Sequence, residues 1–206
     1  MTAARIPITK PKAIAMEMDT AAKSKVFGKA SPKMSETFRL LWYAVSDLLR
    51  KQQGKLKLTV YSLSGQTVNT LTKTTAIPAN TSTLIHKQPL AELLKDQHRE
   101  DVVISMELTA SSGVSYQANC FLCLQKDLRL MPVKPEVSVE ASEGGCLITL
   151  KADKFVRALA LSIDGTEDYW LSNNYFDLLP GVPVKCFVRT TKSPSEVKQR
   201  LTYRSL

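Results

Sequence analysis

The chain has 206 residues, 44% of them hydrophobic, and a formal net charge of +9. That length allows one large domain or two of about 100 residues, with enough apolar material for a core. No stretch reaches the roughly 18 apolar residues of a membrane helix, and no apolar run of roughly 7–15 residues near the start marks a secretory leader, so the expectation is an intracellular, soluble chain.

The charge is segregated. Residues 1–35 carry seven Lys/Arg and two acids, residues 185–206 carry six and one, and residues 36–184 carry fifteen and sixteen. Basic ends on a neutral body predict an acidic partner, such as nucleic acid, acidic protein or anionic lipid, unless they serve only solubility. Residues 1–35 show no sustained period and read as an extended basic arm, with a short helix expected near 13–22. Such an arm buries too little apolar surface to fold alone and is expected to order against a partner. Lys10, Lys12, Lys23, Lys25, Lys29 and Lys33 are its candidate contacts. Residues 1–16 are basic and free of acids, a composition also found in mitochondrial transit peptides.

From Glu36 the texture changes. Residues 38–45 are rich in aromatic and aliphatic side chains and predict a strand, although 40–50 also fits a helical period. Residues 55–61 alternate, with Leu56, Leu58 and Val60 on one face. Ser64-Gly65 turns into a Thr-rich strand over 67–75, Pro78-Ala79-Asn80 breaks it, and 82–86 resumes. Pro89 opens a helical turn over 89–95. Strands are predicted over 101–110 and 114–123 around Ser111-Ser112-Gly113. Met131-Pro132-Val133-Lys134-Pro135 is a stiff connector, and the domain boundary is expected there. Six further strands follow, over 136–141, 145–152, 155–163, 170–176, 184–190 and 201–206. Short strands with turn signals at this spacing predict an all-β fold: two tandem immunoglobulin-like sandwiches, 36–130 and 131–206, behind the arm. Leu56, Leu58, Val60, Val103, Leu147, Leu159, Leu161 and Phe187 are the expected core residues.

Residues 171–181, ending Asp177-Leu178-Leu179-Pro180-Gly181, resemble the S-D-N-Y-F-D-L-L-P-G run near the C-terminus of β-mannosidases of glycoside hydrolase family 2, with Asn173 in place of the usual Asp. The strand over 155–165 and the closing residues 201–206 are similar to that run's flanks. Earlier landmarks resemble the immunoglobulin-like domain that follows the family's catalytic barrel: Val45-Ser46-Asp47-Leu48, Gly54-Lys55-Leu56-Lys57-Leu58, Ile77-Pro78-Ala79-Asn80, Leu90-Ala91-Glu92-Leu93-Leu94 and Lys126-Asp127-Leu128-Arg129-Leu130. Together they cover 37–206 in family order. The resemblance implies a barrel upstream that bears both catalytic glutamates, and these 206 residues have no room for it.

Other chemistry is sparse. Glu140 and Glu143 flank a glycine turn and Asp164, Glu167 and Asp168 share a loop, where carboxylates are usually solvated; no catalytic pair is assigned. The loop lacks calcium-binding spacing. His86 and His98 lack a third ligand nearby, and Cys120-x-x-Cys123, on one strand, would face opposite sides, unsuited to zinc or redox work. No metal or cofactor is expected. Trp42, Tyr43, Tyr169, Trp170, Tyr175 and Phe176 would form a sugar platform if exposed, and a core if not. Asn80-Thr81-Ser82 fits a glycosylation sequon. The expectation is a non-catalytic accessory module of a β-mannosidase-like protein, packed on a protein partner or an upstream catalytic domain. The alternatives are a structural subunit of a large assembly, using basic termini on acidic partners, and a carbohydrate-binding module.

Overall fold

A computed structural model describes residues 14–18, 39–165 and 168–206, the first of these by backbone alone. The fold is nearly all β. The elements are β1 (Ile14–Met18), β2 (Arg39–Ser46), β3 (Gln52–Ser62), β4 (Thr67–Ile77), β5 (Thr81–Pro89), α1 (Leu90–Leu94), β6 (Val102–Ala110), β7 (Ser115–Cys120), β8 (Glu136–Ser142), β9 (Gly145–Lys151), β10 (Val156–Ile163), β11 (Trp170–Leu171), β12 (Phe176–Leu178), β13 (Val184–Arg189), α2 (Pro194–Arg200) and β14 (Leu201–Arg204). They form four sheets, ordered β1-β2-β5, β4-β3-β6-β7, β11-β13-β9-β8 and β12-β10-β14. The first two sheets and the last two are the paired layers of two sandwiches.

By internal contacts the chain divides into two compact units. One holds the described residues up to Val60 with Asn69–Asp96 and Ile104–Cys120. The other holds Tyr61–Val68, Gln97–Val103 and Phe121–Leu206.

In the first unit the period-2 pattern sets the core. Leu56, Leu58 and Val60 are buried while Lys55 and Lys57 are exposed. On β2 the buried set is Leu40, Trp42, Ala44 and Ser46, so the segment that also fits a helical period is a strand. The helix expected near 13–22 is replaced over 14–18 by β1, which pairs antiparallel with β2. Asn80 takes a left-handed φ of 44°, a conformation that asparagine tolerates better than most residues, and donates its N–H to the Leu48 carbonyl at 2.8 Å. Asn69 Nδ2 donates to the Glu92 and Leu93 carbonyls at 3.2 and 3.3 Å, satisfying α1 at its open end.

In the second unit one cluster is built on Cys146, Ile148, Leu150, Leu159, Leu161, Leu178, Cys186 and Val188. Leu147 and Phe187, expected in the core, are instead half-buried on the other face, opposite each other in the β9–β13 register. Both strands carry apolar residues on both faces, and the thiols of Cys146 and Cys186 act as the small inner hydrophobes. The strand expected over 170–176 is two short strands separated by residues 172–175. The strand expected over 114–123 stops at Cys120, and Phe121 turns into a second cluster with Leu63, Val103, Leu128, Phe155 and Leu179. Gly65, at φ 112°, sits where any Cβ would overlap the Asp153 carbonyl. Sequence reasoning missed α2, although Ser193-Pro194-Ser195-Glu196 spells its start. Ser193 caps the helix and Glu196 Oε2 accepts the Ser193 N–H at 2.9 Å, a complete capping box.

Candidate functional site

Residues 171–181 carry the chain from one sheet of the second unit to the other. Ser172 extends the pairing with β13, its N–H donating to the Phe187 carbonyl and its Oγ accepting the Phe187 N–H, both at 2.8 Å. Asn174 then mimics a strand neighbour. Its Oδ1 accepts the Leu161 N–H at 2.7 Å, and its Nδ2 donates to the Leu161 carbonyl at 3.0 Å. The next residue, Tyr175, is held at a left-handed φ of 57°.

Asp177 is the electrostatic centre of the run. Its two carboxylate oxygens accept Arg157 Nη1 at 2.7 and 2.8 Å, and Oδ1 also accepts the Ala158 N–H at 3.0 Å. Ala158 has φ 49°, where β10 shifts register against β12, so the carboxylate closes a β-bulge. The Arg157 guanidinium lies 4.5 Å from the centroid of the Phe121 ring. Phe121 in turn meets Phe155 at 5.8 Å and 58°. The two leucines that follow enter different clusters, Leu178 the larger and Leu179 the smaller. Pro180 is buried, and Gly181 turns the chain at φ 72° with its N–H on the Ala152 carbonyl at 2.8 Å. An aspartate in a glycosidase-like run is here an anchor for backbone, with its charge answered by arginine.

The other carboxylates stand apart from it. Glu140 is exposed on β8, Glu143 is exposed in the turn before β9, and Asp164 is exposed after β10. Asp164 Oδ1 accepts from Thr202 Oγ1 at 3.2 Å. Asp168 is exposed and Glu167 lies outside the described residues. Among the described residues no cluster of three His, Cys, Asp or Glu could hold a metal ion. His86 stacks on Trp42 at 5.1 Å and 22°, and His98 opens a 3-10 turn, its carbonyl accepting the Asp101 N–H at 3.1 Å.

The six aromatic residues divide. Trp42 is fully buried, Tyr169 and Phe176 pack on the larger cluster of the second unit, and Tyr43 is partly buried. Trp170 and Tyr175 are exposed, at 52% and 74%.

Cys123, Cys146 and Cys186 are free thiols. Burial pushes the Cys120 thiol up to about 12. Burial first, then the carboxylates of Glu100 and Asp127, raise Cys123. Both are held protonated, the opposite of a reactive thiol.

All six arm lysines, Lys10, Lys12, Lys23, Lys25, Lys29 and Lys33, lie outside the described residues. The basic C-terminal end is described, with Lys185, Arg189, Lys198, Arg200 and Arg204 exposed. Arg200 Nη1 reaches the Asp164 and Gly165 carbonyls at 3.4 Å each. Arg157, Phe121 and Asn174, which organise the run, were not singled out from sequence. Arg157 lies 20 residues from Asp177 and nothing local marks the pair.

Two family models match, the Mannosidase Ig/CBM-like domain over residues 39–127 and the mannosidase Ig-fold domain over residues 132–206. No curated protein matches the chain. Among solved structures it is similar to a β-D-mannosidase from Dictyoglomus thermophilum, with 17% identity and a TM-score of 0.68 over 93% of this chain and 21% of that one. It is also similar to the exo-chitosanase CsxA of Amycolatopsis orientalis, with 12% identity and a TM-score of 0.51 over 81% of this chain and 24% of that one. The chain thus spans less than a quarter of the length of either enzyme, and likenesses at this identity concern the fold.

Proposed function

The chain belongs to the mannosidase immunoglobulin-like domain families in both of its halves, and on that premise we propose that it is a non-catalytic accessory part of a larger glycoside hydrolase, packing against a catalytic domain and stabilising it. The observation that carries this reading is the use made of the glycosidase-like run. Asp177 is committed to Arg157 and to backbone, and its neighbours Leu178 and Leu179 to two clusters, so the residues of the resemblance do folding work. The domain division at 131–135 belongs to the same proposal, supported by family matches that end at 127 and begin again at 132. The partner is a protein, either a separate catalytic subunit or a barrel in the same polypeptide.

Co-purification of the tagged chain, followed by mass spectrometry, tests the reading. The expected result is stoichiometric recovery of a polypeptide bearing a glycosidase barrel, or of a longer product of the same gene. Recovery of the chain alone as a stable monomer counts against it.

The arm is proposed as a second contact. If Lys10, Lys12, Lys23, Lys25, Lys29 and Lys33 meet an acidic surface, affinity for that partner falls steeply between two salt concentrations, because neutralised charges release counterions. Removing residues 1–35 is expected to weaken binding and flatten the salt dependence. Equal affinity and equal slope with and without them would leave the arm no role.

A further inference from the structure

Trp170 and Tyr175 share one edge of the second unit. β11 and β12 are edge strands of their sheets, and residues 172–175 join them. Leu171 packs on the core, so Trp170 faces outward. The two lie five positions apart, which limits their Cα atoms to a separation of about 18 Å.

Folding gives no reason for a ring at position 175. The left-handed backbone there is strained for a bulky side chain and is readily adopted by glycine or asparagine. Asn174 pins that backbone, since the same Oδ1 that accepts the Leu161 N–H also accepts the Tyr175 N–H at 3.0 Å. Trp170 is steadied by Arg189, whose guanidinium lies 5.3 Å from the ring centroid. Between them along the chain stand Ser172, whose Oγ already accepts the Phe187 N–H, and Asn173, which is exposed. Exposed aromatic rings, one steadied by an arginine and one carried on a pinned backbone, with an amide group between them match the alternation of C–H faces and hydroxyls on a sugar chain.

We propose that this edge, Trp170 and Tyr175 with Asn173, binds a saccharide chain by stacking sugar rings on the two aromatic side chains. Charge favours a saccharide over a nucleic acid, which also stacks. The outer positions of the adjoining sheet carry Glu136 and Glu140 against Lys151, Lys185 and Arg189, with Arg189 engaged by Trp170. That near balance offers a polyanion no continuous cationic track. The inference stands apart from the accessory role, and the edge lies outside residues 39–127, the part matched by the Ig/CBM-like model.

Titration calorimetry of the full chain with β-1,4-linked mannohexaose, cellohexaose and a single-stranded oligonucleotide tests it. The expected result is saturable binding of at least one saccharide, weakened about tenfold by Trp170→Ala and by Tyr175→Asn. Tyr175→Asn is expected to leave Tm unchanged or higher, which separates a binding role from a structural one. No saccharide binding, binding kept in both variants, or tighter binding of the oligonucleotide overturns the proposal. If Trp170→Ala lowers Tm as well as affinity, Tyr175→Asn alone decides: affinity lost with Tm intact supports the site, and affinity kept overturns it.

Discussion

Asp177→Ala is expected to lower the stability of the chain by about 3 kcal/mol, the low end for breaking a buried ion pair, because the Arg157 side chain is still 26% exposed. The change removes both bonds to Arg157 Nη1 and the bond that holds Ala158 in its left-handed bulge. It leaves a guanidinium whose Nε, among the described residues, already lacks a partner, with a charge that burial makes costly. Asp177→Asn, which can still accept the Ala158 N–H, is expected to lose less. Urea denaturation of Asp177→Ala, Arg157→Met and the double variant measures the coupling, and the double variant is expected to be more stable than the sum of single losses predicts. A loss below about 1 kcal/mol for Asp177→Ala would show that the bulge is held by packing alone.

The second large effect lies in the first unit. Trp42 is fully buried on β2 and stacked on His86. Trp42→Ala is expected to cost about 3–5 kcal/mol, the range for deleting a buried aromatic side chain. Trp42→Phe is expected to cost less than half as much. The Trp42 Nε1 is buried and, among the described residues, has no acceptor, so removing it relieves an unmet hydrogen bond while keeping a ring against His86. Thermal unfolding of the two variants checks the order. A phenylalanine variant as unstable as the alanine variant would mean that Nε1 has an acceptor.

How much of this could be read from the chain differs strand by strand. β3 announces itself because Leu56, Leu58 and Val60 are each preceded by a lysine or threonine, which points to one inner face. β9 and β13 do not, because Cys146-Leu147-Ile148 and Cys186-Phe187-Val188 offer apolar residues to both sides. Which side faces in is decided by the opposite sheet. The break between β11 and β12 is only half hidden, since the turn-forming Ser172-Asn173-Asn174 stands between flanks of strand composition. What ends the strand is the Asn174 amide bonding to Leu161, 13 residues away. The candidate site was half visible. The aromatic residues were identifiable by type, but only the folded edge separates Trp170 and Tyr175 from Trp42, Tyr169 and Phe176. Asp177 stood out within its run, yet its function depends on Arg157 and on a bulge that no local pattern foretells.

The accessory reading makes its sharpest claim about chemistry. Glycoside hydrolysis requires two carboxyl groups facing each other across a cleft, and Asp177 is occupied by Arg157 while Glu140, Glu143 and Asp164 are exposed on separate elements. The direct test is turnover of an aryl β-mannoside by the purified 206-residue chain. The account predicts no hydrolysis above the buffer background. Hydrolysis that disappears on replacing Glu140, Asp164 or Asp168 would contradict it.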